Sequence, residues 1–144
     1  MHLAAILKHK GADVAHVAPT AAIAEVVQVL AARRIGAVLV LDSARQVLGI
    51  VSERDIVRAL AEHGARTLDM TAGQLMTTGL HIAGPDTTVC EAAAMMTEGR
   101  FRHLPIMDGD RLVGIVSIGD AVKAKMSEQE QEVDSLKAYV AGVG

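Results

Sequence analysis

The sequence contains the same unit twice. Residues 17–60 can be laid on residues 83–125 with a shift of 66 positions, falling to 65 after a one-residue loop deletion. Pro19 falls on Pro85, Glu25 on Glu91 and Asp42 on Asp108, and Gly49-Ile50-Val51-Ser52 matches Gly114-Ile115-Val116-Ser117, with Asp55 on Asp120. Two copies are too few for a solenoid, which needs three or more to bury a continuous core. They suit a pair of units related by a pseudo-two-fold axis.

Each copy reads alike. Pro19-Thr20 or Pro85-Asp86 opens a helix, whose apolar face carries Ile23, Val26, Val27 and Leu30 in one copy and Val89, Ala92, Ala93 and Met96 in the other. A break at Gly36 or Gly99 precedes a short apolar run, Ala37 to Leu41 or Leu104 to Met107, too short for a helix and read as a buried strand. Polar turns at Asp42 to Gln46 and Asp108 to Arg111 lead into second strands, Val47 to Val51 and Leu112 to Val116. A second helix starts at Ser52 and at Ser117, and a short strand is expected before each first helix, Ala15 to Val17 and His81 to Ala83. The expected organisation is a first repeat with an N-terminal extension over 1–63, a connector over 64–79, a second repeat over 80–126, and a C-terminal helix or tail over 127–144. The connector carries a helical turn at Ala72 to Met76. The tail has a narrow apolar edge of Val133, Leu136 and Val140, suited to packing on the body or on a second subunit.

Composition removes several function classes. Apolar residues make up 51% of the chain, which excludes intrinsic disorder. Phe101 and Tyr139 are the only aromatic residues, too few for the stacking platforms of single-strand nucleic-acid binders, and a net charge of −3 without a basic stripe argues against a phosphate-backbone binder. No apolar run approaches the eighteen or so residues that span a membrane, and Met1 to Leu7 lacks a signal-peptide core, so a cytoplasmic location without membrane insertion is expected. Cys90, the single cysteine, is expected to be a buried, inert thiol. The histidines show no metal-ligand spacing, and Met76, Met95 and Met96 read as core fillers.

The repeated Ser-x-x-Asp carries the chemistry. An ionised carboxylate accepts both hydroxyl hydrogens of a ribose, and at a helix start it is favoured by the helix dipole. The adjacent backbone N–H groups are a natural cradle for phosphate oxygens. The same four residues also spell a helix capping box, worth about 1 kcal/mol, and duplication would reproduce a cap as readily as a binding site. Both roles are open on the residues alone, and they are compatible.

Two copies of Gly-Ile-Val-Ser-x-x-Asp, each after a strand–turn–strand and opening a helix, resemble the tandem cystathionine-β-synthase (CBS) domain pair, the Bateman-type regulatory module. Met76-Thr77 leading to His81-Ile82-Ala83-Gly84-Pro85-Asp86, and Arg102-His103-Leu104-Pro105-Ile106, extend the resemblance, which spans about Val14 to Met126. It implies an α/β (α+β) fold of two β-α-β-β-α CBS units in one compact module, usually a homodimer, with ligand in the clefts between the repeats. It further implies an adenosyl ligand: AMP first, with ATP, ADP, NAD(H) or S-adenosylmethionine as alternatives. By resemblance, Asp120 and Asp55 hold ribose, Ser117 and Ser52 add hydroxyls, and Ile82 and Val17 lie near the base. Basic residues at the position of Arg102 and His103 reach phosphates in nucleotide-binding members. Copy one has Gly36 and Ala37 there and offers Arg54 instead, where copy two has Gly119. The cleft of Ser117, Asp120, Arg102 and His103 is therefore expected to be the better one.

The function expected is a regulatory adenine-nucleotide sensor of energy or redox state. Binding would be passed as a conformational change to an unidentified regulated protein. A scaffold or oligomerisation protein that keeps the fold without binding ligand is the alternative. An enzyme is not expected, because the polar residues form no nucleophile–base–orienter set.

Overall fold

The computed structural model describes residues 1–11 and 13–143, which fall into two compact units, Asp13–His81 and Met1–Ala12 with Ile82–Gly144. Both are α+β.

In the unit Asp13–His81, strand β1 (His16–Val17) lies parallel to β2 (Ala37–Leu41), which pairs antiparallel with β3 (Val47–Ser52). All five residues of β2 are buried, as expected of a central strand carrying an uninterrupted apolar run. The β2–β3 turn is held by Asp42, whose Oδ1 accepts from the backbone N–H groups of Ala44 and Gln46. Helix α2 (Ile23–Arg33) and helix α3 (Glu53–His63) flank the sheet. Ile23, Val26, Leu30, Val38, Val40, Val51 and Ile56 form the core, and each such side chain contributes about 1.5–3 kcal/mol by leaving water. A 3₁₀ segment, Gly64–Asp69, and the one-turn helix α4 (Ala72–Leu75) complete the unit.

In the other unit, helix α5 (Val89–Gly99), strands β4 (His103–Asp108) and β5 (Arg111–Ser117) and helix α6 (Ile118–Val143) repeat the order. Ala83 makes a single parallel bridge to Ile106, where Val17 pairs with Val40 in the first copy. The core holds Val89, Ala92, Met96, Leu104, Ile106 and Val116, together with Leu3 and Ile6 of helix α1 (Leu3–Lys10).

That placement of α1 differs from the sequence expectation of a plain N-terminal extension to the first repeat. The first segment of the chain does for the second repeat what α4 does for the first. Val89 N–H donates to Met1 carbonyl and Leu3 N–H to Thr87 carbonyl; correspondingly, Ile23 N–H donates to Met70 carbonyl and Ala72 N–H to Ala21 carbonyl. His2 bridges Thr88 as Thr71 bridges Ala22.

Four local expectations are corrected. The first helices begin at Ile23 and Val89, three residues past the Pro-Thr and Pro-Asp pairs, because those pairs form turns and the N-caps are Ala22 and Thr88. Val27 is 37% exposed: Ile23, Val26 and Leu30 already fill the inward stripe. Cys90 is exposed because Val89 takes the inward position and the next residue lies about 100° round the helix; Lys125 Nζ donates to its Sγ at 3.4 Å. The C-terminal helix is continuous with the one after β5, since nothing between Ile118 and Val143 breaks it.

Candidate functional site

Each Ser-x-x-Asp sits where a strand hands over to a helix. Ser52 ends β3 and caps α3; its Oγ accepts from Asp55 N–H at 3.2 Å. Asp55 Oδ2 in return accepts from Ser52 N–H at 2.8 Å and Ser52 Oγ–H at 2.9 Å. Ser117 and Asp120 reproduce the reciprocal pair at 2.9 and 3.1 Å. All four residues are half-buried. The capping role is thus present in both copies, and it pins each carboxylate at the first turn, beside the positive end of the helix.

The surroundings of the two carboxylates differ. Asp55 Oδ1 accepts from Thr77 Oγ1–H at 3.2 Å, a neutral partner. Asp120 Oδ2 accepts from Lys10 Nζ at 2.6 Å, and Lys10 also reaches the Ile115 carbonyl at 3.1 Å. Burial pushes the Asp120 carboxyl up. The Lys10 hydrogen bond, the Ser117 N–H and the Lys10 charge outweigh it and hold the carboxyl below the ordinary carboxylate value. Sequence reasoning missed both Thr77 and Lys10. The available signal was the second, weaker repeat, Met1-His2-Leu3 against Met70-Thr71-Ala72, which puts Leu7 on Met76 and so brings the last turn of α1 and the segment after α4 to matching places.

The same repeat explains the glycine of Gly-Ile-Val-Ser. A Cβ at Gly49 would stand 2.7 Å from Thr77 carbonyl oxygen and 2.8 Å from Met76 Sδ, and one at Gly114 would overlap the Leu7 side chain. At Gly49 only glycine lets the segment after α4 lie this close, because the contact is to backbone; at Gly114 the end of the Leu7 side chain can give way.

Arg102 and His103 are brought to the Ser117–Asp120 turn. Ile118 N–H donates to Arg102 carbonyl at 2.8 Å, and His103 pairs in register with Ser117. Gly36 and Ala37 occupy the matching places beside Ser52, with Glu53 N–H on Gly36 carbonyl. Arg102 is exposed and His103 half-buried; Arg54 is exposed on the first turn of α3. Ile82 and Val17 are not equivalent positions. Val17 matches Ala83 and is buried in the core of its unit, whereas Ile82 matches His16 and is 54% exposed.

A groove of about 540 Å³ lies between α2 and α3, lined mostly by apolar groups such as Val27, Ile35 and Val57 and by the charged Arg34 and Glu53. Neither Ser52 nor Asp55 lines it, so it is separate from the carboxylate. Among the described residues no three His, Cys, Asp or Glu side chains cluster to hold a metal, and no helix is long and apolar enough to cross a membrane.

Comparison with known proteins agrees with this architecture. The CBS domain family model matches residues 9–62 and 72–127. The mitochondrial CBS domain-containing protein CBSX3 of Arabidopsis thaliana is 33% identical over 122 residues; the match covers 82% of this chain but only 59% of that protein, so the chain spans about three-fifths of its relative. A crystal structure of a CBS-domain containing protein from Agrobacterium tumefaciens is 42% identical with a TM-score of 0.84, covering 87% of this chain and 99% of its own. A CBS domain protein from Pyrobaculum aerophilum, complexed with AMP, is 28% identical with a TM-score of 0.73, covering 83% and 89%. With two family matches over most of its length, each spanning a strand pair and the helix that opens with the Ser-x-x-Asp turn, the chain belongs to the CBS domain family as a tandem pair.

Proposed function

We propose that this chain is a regulatory adenosyl-ligand-binding module acting in the cytosol, with AMP as its first ligand, seated at the Ser117–Asp120 turn. One observation carries the reading. A carboxylate, a hydroxyl and a helix N-terminus meet at one strand–helix junction, and the backbone of the basic residues Arg102 and His103 pairs directly beside it. Asp120 accepts the ribose hydroxyls, the first turn of α6 faces the phosphate, Arg102 supplies charge and His103 a ring N–H donor. The AMP complex of the Pyrobaculum aerophilum relative supports the ligand class. Ser52, Asp55 and Arg54 form the second, weaker seat, because Gly36 and Ala37 carry no cation there. Ligand acts as a signal only as far as it binds two conformations of the module unequally, and that difference is what a regulated partner reads. Self-association into a homodimer belongs to the same proposal.

A scaffold that binds no nucleotide is the second reading. It is favoured by the fact that both aspartates already complete the reciprocal hydrogen bonds of a capping box with their serines. Thermal unfolding with AMP, ADP, ATP, NAD, NADH and S-adenosylmethionine separates the two. A ligand at a hundred times its Kd stabilises by about 2.7 kcal/mol, a shift of roughly 5–10 °C for a chain of this size. The ligand-induced shift, measured from each variant's own baseline, is expected to vanish in Asp120→Ala and persist in Asp55→Ala. A folded wild type unmoved at millimolar ligand leaves the two aspartates as caps and establishes the scaffold. Release of product from the nucleotide on long incubation would reopen an enzymatic role.

A further inference from the structure

The C-terminal helix α6 is longer than its unit requires. At about 1.5 Å per residue, its 26 residues extend roughly 39 Å. Ala121 is buried and Ala124 and Glu128 are half-buried, so this face of the first turns packs on the unit. Every residue from Gln129 to Ala141 is exposed. A helix with no tertiary contact over three turns is marginal in water, so its apolar stripe calls for a partner.

The spacing of that stripe says which partner. Met126, Val133 and Val140 recur every seven residues, and so do Val122, Gln129 and Leu136, offset by three. These are the a and d positions of a heptad, and the five apolar ones are 51–63% exposed. A 3.5-residue repeat belongs to a helix wound on another helix, whereas a helix lying on a globular core follows 3.6. β-Branched Val133 and Val140 at a, with Leu136 at d, favour two parallel strands.

Charge selects a second copy of this chain. The flanking g and e positions place Lys125 opposite Glu130 of a parallel partner, and Glu132 opposite Lys137. In-register pairing of two identical helices therefore makes four opposite-charge contacts and no like-charge one. An antiparallel pair sets e against e and g against g, so neither of these contacts forms. Gln129 is the one polar residue in the seam. In register it meets its own copy and shares hydrogen bonds; any slip buries it against aliphatic side chains.

We infer that α6 associates with α6 of a second chain as a parallel, in-register two-stranded coiled coil over residues 122–140. The inference rests on the heptad and its charges and is independent of whether the module binds a nucleotide.

Sedimentation equilibrium of the full chain without ligand tests it. A dimer is expected at micromolar concentration. Leu136→Asp, at an exposed position that leaves the units folded by circular dichroism, should weaken it at least about tenfold. Glu132→Lys should weaken it several-fold, and adding Lys137→Glu should restore the wild-type Kd, a rescue that only an inter-chain contact produces. In a Cys90→Ser background, Gln129→Cys should cross-link to a covalent dimer under mild oxidation. The inference is overturned by a monomer throughout the concentration range, or by a dimer whose Kd ignores Leu136→Asp, since that dimer uses another surface. Absence of the Gln129→Cys cross-link in a folded dimer overturns the parallel, in-register arrangement.

Discussion

At the residue scale, Lys10 and Asp120 give the two copies different chemistry. The depressed pKa of Asp120 means that its ionised form is stabilised by folding. That contribution is fully present above the ordinary carboxylate pKa of about 4 and is lost as the pH falls through the lowered folded value. Lys10→Ala should therefore cost about 0.5–1 kcal/mol in urea unfolding at pH 7, as for a half-exposed pair, and almost nothing at pH 2. Removing the compensating charge should also weaken AMP relative to adenosine, which a titration calorimeter reads directly. The motif glycines are a second residue-scale difference. Gly49→Ala meets a backbone oxygen and should cost about 2–3 kcal/mol, whereas Gly114→Ala meets only the end of the Leu7 side chain and should cost about 1 kcal/mol by denaturant unfolding.

At the element scale the copies diverge in how their helices start. Thr88 caps α5, its Oγ1 accepting from Glu91 N–H while Glu91 reaches back. Ala22 stands at the matching place before α2 with nearly the same backbone angles, φ −69° and ψ 147° against −76° and 155°, and Glu25 already waits at the third position. Ala22→Thr should complete that box and raise the stability of the Asp13–His81 unit by about 1 kcal/mol, read as a rise in melting temperature. The elements are legible because local patterns specify them: the five-residue run Ala37–Leu41 matches to the residue, and the second strands and the starts of the second helices to within one. Helix α1 was missed. Eight residues without an acidic first turn or a capping side chain give no local start signal, and its order comes from the core it enters.

At the scale of the whole molecule, the first segment of the chain is structural material for the second repeat. Leu3 is fully buried among residues such as Val89, Met96 and Leu104. Leu3→Ala should cost about 2–5 kcal/mol, and hydrogen exchange should show protection falling first in residues 82–117 while residues 13–63 keep theirs. Under the domain boundaries expected from sequence, with 1–63 as one repeat, the opposite order would follow. The coiled-coil inference belongs to this scale too, since it assigns the exposed length of α6 to a second chain.

The duplication, the order of elements within each copy and the Ser-x-x-Asp turn at each strand–helix junction are all legible in the amino-acid sequence. All of these are written in spacing over a few residues, as alternation, helical periodicity and caps. Long-range packing is what sets Lys10 on Asp120 and Thr77 on Asp55, turns Cys90 and Val27 outward, and closes α1 and the segment after α4 on the two glycines. Local pattern fixes backbone angles and one buried stripe. Which distant segment covers that stripe depends on packing and charge between residues as far apart as Lys10 and Asp120 or Met1 and Glu128, and short-range spacing carries no record of it.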